Sequence, residues 1–270
     1  MRRSAQEQVR LLYIFLFVFL LKEGRRINVD SFTPKSMGPP TKCIIFDIDG
    51  TLVSSGDHCI SITNSVLKEN GRPPVSIEEY MNACKYDTPT RFAVHLYGEE
   101  RALNPDNPEF REHGRDLGNE FDERYVRLLD ASNCPLFPGI KPQLLALQST
   151  KNMKVSALTN ACKAYADSVL EAHDIYKCFD TIEGADSVPE SKPSPSGILK
   201  ILAELSLPPQ HCVMVGDSVG DGEAGVRAGC RTLGVGWGAN PSAKLMNSGM
   251  FTEGVANSVE EMWKLLLQNK

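Results

Sequence analysis

Two carboxylates, Asp47 and Asp49, stand at the end of the apolar run Cys43-Ile44-Ile45-Phe46, directly before Gly50-Thr51-Leu52. A continuously apolar run of this kind reads as a buried strand of a parallel sheet. Ligands of open α/β sheets gather beyond the carboxyl ends of the strands, where both side chains would emerge. One can act as nucleophile while the other carries protons, and both can help to hold a hard cation through oxygen. Asp and Gly are also ordinary loop residues after a strand. The pair therefore acquires meaning from what else reaches the same place.

Three further segments do so, each following an expected strand. Thr159 and Asn160 come after Met153 to Leu158; a hydroxyl beside backbone N–H groups at a helix start is a ready anion site. Lys192, restricted by Pro193, can offset the charge of phosphoryl oxygens and of a nucleophilic carboxylate. Gly216-Asp217-Ser218-Val219-Gly220-Asp221 follows His211 to Val215. Asp217 and Asp221, four apart, are expected to share a face of one helical turn and to complete a magnesium site with Asp47. Singly, these are a helix cap, a loop and a turn. Together, at successive strand ends, they describe phosphoryl transfer.

The elements that must position them alternate. Met153 to Leu158 is expected as a strand, Ala161 to Ala172 as a helix and Cys178 to Ile182 as a short strand. Ile198, Ile201, Leu202 and Leu205 mark one helix face, with Ser194 as N-cap and Pro195 as first residue. A strand from His211 to Val215 leads into a helix ending at Ala228, stopped by Gly229, and Thr232 to Val235 is the next strand. Repeated βα units of this kind give a doubly wound, Rossmann-like parallel sheet covered by helices.

Between residues 58 and 136 the alternation stops. Helices are expected over Ile60–Asn70, Ile77–Cys84, Thr88–Leu96 and Phe110–Leu129, the last lined on one face by Leu117, Phe121, Tyr125 and Leu128. The stretch reads as an all-helical domain inserted over the site. Asn133 to Gly139 marks the return to a catalytic core made of residues 41–57 and 137–270.

These four motifs, in this order and spacing, resemble the haloacid dehalogenase superfamily over residues 42 to about 265. Asp47-Ile48-Asp49-Gly50-Thr51 matches its first motif, Thr159-Asn160 the second, Lys192 the third and Gly216 to Asp221 the fourth. The helical insertion, Phe137-Pro138-Gly139 and Gly225/Ala228-Gly229 resemble the phosphoglycolate phosphatase-like branch. The resemblance implies an Mg²⁺-dependent phosphomonoesterase acting on a small phosphorylated metabolite. Asp47 would form an aspartyl phosphate, and Asp49 would serve as acid and then base. Thr159, Asn160 and Lys192 would hold the phosphoryl group. Asp47, the Asp49 carbonyl and Asp217 would bind the metal, with Ser218 and Asp221 behind them and Asp221 orienting Lys192 or metal-bound water.

Asp49 favours phosphatases and phosphomutases over the ATPase, dehalogenase and phosphonatase branches, and Gly50-Thr51-Leu52 is the more phosphatase-like continuation. Specificity is expected from the cap segment Lys85 to Arg91, with Thr88 in its turn and Lys85 or Arg91 meeting a second anionic group, such as the carboxylate of 2-phosphoglycolate. That segment lacks the glycine usual in close phosphoglycolate phosphatases, and Glu190 stands where basic residues are frequent. A sugar-phosphate phosphatase, a β-phosphoglucomutase-like mutase and a non-catalytic scaffold for phosphorylated ligands stay open beside 2-phosphoglycolate hydrolysis.

A formal net charge of -5 argues against a nucleic-acid partner. The eight cysteines show no Cys-x-x-Cys pair and read as reduced thiols of a cytoplasmic enzyme. The five histidines have no metal-ligand spacing. Residues 1–40 read as an extension whose apolar run Leu11 to Leu21 would cover roughly 16 Å as a helix, too short to span a bilayer. A targeting signal to an organelle or the secretory pathway, a membrane-surface anchor, or a start at Met37 are the alternatives for it.

Overall fold

The computed structural model describes residues 39–148 and 153–267. The apolar leader run and Met37 lie outside the described residues. Strand β1 (Cys43–Phe46) is wholly buried and continuously apolar, and it pairs in parallel with β2 (Lys154–Leu158) on one side and β4 (Cys212–Gly216) on the other. With β3 (Thr181–Glu183), β5 (Arg231–Val235) and β6 (Val255–Ala256) they form a six-stranded parallel sheet in the order β3-β2-β1-β4-β5-β6. The chain runs from β1 outward through β2 to β3, then crosses back to β4 on the other side of β1 and continues to β5 and β6. A crevice opens at such a switch point, beyond the strands' carboxyl ends.

The period-two alternation of strand side chains sends β1 to both faces. Cys43 and Ile45 pack with Ile198, Ile201 and Leu202 of α8 (Ser196–Glu204) and Ala224 and Ala228 of α9 (Val219–Ala228). Ile44 and Phe46 face α6 (Ile140–Gln148), α7 (Lys163–Ala172) and α11 (Val259–Leu267) through Leu144, Val169 and Trp263. A further helix, α10 (Ser242–Ser248), follows β5. Helices on both faces of a parallel sheet are the expected doubly wound core.

The insertion is helical throughout: α1 (Gly56–Glu69), α2 (Ile77–Ala83), α3 (Thr88–Tyr97), α4 (Glu99–Ala102) and α5 (Pro108–Leu128). Ser76 opens α2 with a capping box to Glu79, and Asp87 caps α3 by accepting the Thr90 N–H at 2.9 Å. Helix α3 lies along α5 so closely that a Cβ on Gly114 would fall 2.4 Å from the Pro89 carbonyl oxygen. Among the described residues, no helix is long and apolar enough to cross a membrane.

Several expectations shift. The third strand starts at Thr181 rather than Cys178, because Tyr176–Cys178 is a 3₁₀ turn and the Asp180 carboxylate takes the Val155 N–H at 3.0 Å. Helix α8 starts at Ser196, with Pro195 rather than Ser194 at its N-cap, since Ser194 N–H closes a turn onto the Ser191 carbonyl at 3.0 Å. Leu117, Phe121 and Tyr125 do line the buried face of α5, but Leu128 is 48 % exposed at its last turn. Gly229 stops α9 in the left-handed region, as expected.

Candidate active site

Asp47 leaves β1 with its N–H bonded to the Val215 carbonyl of β4 at 2.9 Å, so its carboxylate opens into the β1/β4 crevice. Lys192 reaches it from the loop after β3. The ammonium lies 2.6 Å from Asp47 Oδ1 and 2.7 Å from Asp221 Oδ1, and donates to the Leu158 carbonyl at 2.9 Å. Two hydrogen bonds and a second ion pair thus surround it. Burial alone would lower the Lys192 pKa, but Asp221 and Asp47 outweigh it and raise it. Asp47 is pushed up chiefly by burial and held back by Lys192. The lysine is thus the charge that keeps a buried carboxylate able to ionise.

Asn160 fixes that lysine. Its Oδ1 accepts the Lys192 N–H at 2.9 Å and its Nδ2 donates to the Lys192 carbonyl at 2.9 Å, with a further reach of 3.3 Å to the Lys85 carbonyl of the cap. Its side chain braces the loop and its backbone stays beside Thr159. The buried Thr159 hydroxyl accepts the Ala161 N–H at 3.1 Å and lies 3.5 Å from Asp49 Oδ2.

Asp49 has a different environment. Ser55 Oγ and Tyr165 OH both donate to its Oδ1. The two acids therefore differ in their main partners: Asp47 faces an ammonium, with the Thr51 hydroxyl 3.4 Å from its Oδ2, and Asp49 faces neutral hydroxyls alone. Neither hydroxyl was legible in the sequence: Ser55 follows the turn, and Tyr165 sits among ordinary core positions of α7.

Asp217 and Asp221 depart from the expected shared helical face. Asp217 lies before the helix, Ser218 is the N-cap, and Asp221 closes a capping box by accepting Ser218 N–H at 3.0 Å and Ser218 Oγ at 2.6 Å. Asp217 is instead held by the Ala239 N–H on Oδ2. Gly50 and Gly238 form its walls, where a Cβ would lie 2.1 and 2.2 Å from Oδ2. Carboxylate oxygens of Asp47, Asp217 and Asp221 all fall within 4.8 Å of one another. Burial first, and then Asp221, push Asp217 up to about 7. The three carboxyl groups converge beside one lysine, and an all-oxygen set suits a hard cation. Asp221 is already engaged by Lys192 and Ser218, which leaves Asp47 and Asp217 as the available carboxylates.

The cap residues divide. Lys85 is exposed and paired with Glu99 at 2.9 Å. Thr88 and Arg91 are buried, the guanidinium 4.8 Å from the Phe121 ring centroid.

Residues 44–235 match the haloacid dehalogenase-like hydrolase family. The chain belongs to that family. This haloacid dehalogenase-like hydrolase is 30 % identical to a phosphoglycolate phosphatase of Vibrio cholerae serotype O1, over 77 % of its own length and 89 % of the relative's. It is 32 % identical to a phosphoglycolate phosphatase of Aquifex aeolicus, over 73 % and 85 %. CbbY of Rhodobacter sphaeroides, solved in complex with phosphate, is 26 % identical, with a TM-score of 0.62 over 74 % of this hydrolase and 88 % of that chain. The curated relatives are phosphatases, as the four motifs imply.

Proposed function

We propose that this hydrolase cleaves the phosphate monoester of a small metabolite through a phosphorylated Asp47, with Mg²⁺ and with 2-phosphoglycolate as the leading substrate. The observation that carries the reading is the separation of the two acids. Lys192 holds Asp47 in the crevice, while Ser55, Tyr165 and Thr159 surround Asp49.

In the first step the Asp47 carboxylate attacks phosphorus as the bond to the ester oxygen breaks, and Asp49 gives its proton to the departing alkoxide. In the second, Asp49 takes a proton from water, which attacks the same phosphorus and releases Asp47 and inorganic phosphate. Thr159 and the backbone at Asn160 offer donors to the phosphoryl oxygens, and Lys192 offsets their charge. Asp47, the Asp49 carbonyl and Asp217 would hold Mg²⁺, which when bound supplies charge stabilisation to the transferring group. Splitting the reaction suits phosphate monoesters, among the slowest uncatalysed hydrolyses. The names of the curated relatives support 2-phosphoglycolate.

The test is a panel of phosphomonoesters assayed with Mg²⁺ and after chelation. Release of inorganic phosphate without a bisphosphate activator, lost on chelation, is the expected result. Interconversion of sugar phosphates without net release would instead mark a mutase.

A further inference from the structure

The loop that joins β5 to α10, Gly236-Trp237-Gly238-Ala239-Asn240-Pro241, lies outside the four motifs, yet it reaches the surroundings of both carboxylates left free for a metal. On the Asp217 side two consecutive residues grip one. The Ala239 N–H donates to the carboxylate Oδ2, and Asn240 Nδ2 donates to the main-chain carbonyl of Asp217 at 3.1 Å. Side chain and backbone are held together, which fixes the direction of the carboxylate as well as its place.

On the Asp47 side the same loop acts through Thr51. The Trp237 indole N–H donates to the Thr51 carbonyl at 3.3 Å, and the Thr51 hydroxyl lies 3.4 Å from Asp47 Oδ2. Gly238 sits between the two grips. A Cβ there would fall 2.2 Å from Asp217 Oδ2 and 2.3 Å from the Gly50 carbonyl oxygen, so the loop backbone rests against Asp217 and the turn after Asp49 at once.

The loop is itself tied down. The Gly236 N–H donates to the Ala256 carbonyl of β6 at 2.9 Å, and Pro241, with its restricted φ, forms the N-cap of α10. The Trp237 ring meets that of Phe137 edge to face, with centroids 6.0 Å apart. A brace anchored at both ends can impose a distance on what it touches.

Such a distance has to be imposed. Carboxylate oxygens of Asp47 and Asp217 lie within 4.8 Å of each other, both side chains buried, and like charges in such a place push apart. The cation that would join them also constrains them. Mg²⁺ demands a near-ideal octahedron of oxygens at about 2.1 Å, whereas Ca²⁺ takes more oxygens at about 2.4 Å in flexible geometry. A fixed pair of carboxylates favours the first ion and gives the second no advantage.

We infer that Trp237 and Asn240 are positioning residues that set the separation of Asp47 and Asp217, and so select Mg²⁺ over Ca²⁺. The inference rests on the Mg²⁺ reading above and adds to it the residues that choose the metal.

The experiment titrates the full chain with Mg²⁺ and, separately, with Ca²⁺ in a calorimeter, with no substrate present. Trp237→Phe keeps a ring against Phe137 and removes the N–H, and Asn240→Ala removes the grip on the Asp217 carbonyl. Groups that orient metal ligands are worth about tenfold in affinity. Each variant is therefore expected to weaken Mg²⁺ about tenfold and Ca²⁺ by about twofold or less, moving the ratio of the two dissociation constants about fivefold. The two substitutions act on different partners, so either decides the matter where the other fails to fold. Equal weakening of both ions would leave the loop a purely structural role and overturn the inference, as would constants unchanged for both. In either case the Mg²⁺ reading stands. An unmodified protein that gives neither heat nor a thermal shift with Mg²⁺ would overturn that reading, and the inference with it.

Discussion

Lys192 Nζ lies 2.6 Å from Asp47 Oδ1, both side chains buried, so the loop after β3 and the end of β1 meet in one ion pair at the mouth of the sheet. The same ammonium is 2.7 Å from Asp221 Oδ1, which ties α9 to that junction. Three segments far apart in the chain depend on one positive charge.

Removing that charge should therefore be felt as stability before it is felt as chemistry. Lys192→Met leaves Asp47, Asp217 and Asp221 buried together without their counter-ion, and loss of one partner of a buried pair costs about 3–5 kcal/mol. Denaturant titration should show a loss of that size, and Mg²⁺ should recover part of it by binding the folded carboxylates. An unchanged midpoint would mean that the lysine is not what neutralises this cluster.

Gly50 is the tightest point of the site. Its φ of 74° is a left-handed conformation, and a Cβ there would fall 2.1 Å from Asp217 Oδ2. Gly50→Ala should displace Asp217 and cost about 1–2 kcal/mol for the backbone alone. The thermal shift produced by Mg²⁺ should shrink with it. A shift as large as in the unmodified protein would place the metal elsewhere.

Tyr165 donates its hydroxyl to Asp49, and the Tyr125 ring of the cap packs against it, tilted by 42° with centroids 4.4 Å apart. Tyr165→Phe keeps the ring and removes the donor. We expect kcat to fall about tenfold with KM held within about twofold, the scale of a hydrogen bond to a charged group. A change in KM alone would assign the tyrosine to substrate binding.

His95, in the cap and away from the acids, is pushed down to about 4 by burial and by Arg91, from an ordinary 6.5. Between those values the unfolded chain binds the proton and the folded one does not. Stability from this group is therefore present above pH 6.5 and lost as pH falls toward 4, by on the order of 3 kcal/mol. Asp122, raised to about 6 by burial, acts in the opposite sense and is common to both proteins compared. Unfolding free energies at pH 7 and pH 4 should fall less for His95→Gln than for the unmodified protein. Equal losses would contradict the assignment.

The core and its motifs were legible because each motif sits where an apolar run ends. Asp47 and Asp217 directly follow strand ends, whereas Lys192 lies further along the loop after β3 and was singled out with the help of the family resemblance. The first residues of β3 and α8 were not legible, since hydrogen bonds made by Asp180 and the Ser191–Ser194 turn set them. Ser55 and Tyr165 were hidden for a deeper reason. A serine after a turn and a tyrosine in a core helix have no periodic signature, and their role exists only once β1 and α7 are side by side. Between Lys85 and Arg91, the sequence offered two cations and no means of choosing. The structure separates them by burial: Lys85 is paired with Glu99 at the surface, and Arg91 is buried among aromatic rings.

The proposed mechanism turns on covalent phosphorylation of Asp47. Rapid acid quench of the Mg²⁺-loaded protein turning over a phosphorus-labelled monoester, followed by peptide mass spectrometry, tests it most directly. We expect a hydroxylamine-sensitive label on the peptide containing Asp47, with no label and no phosphate release in Asp47→Asn. Undiminished phosphate release by that variant, or a label on a different residue, would contradict it.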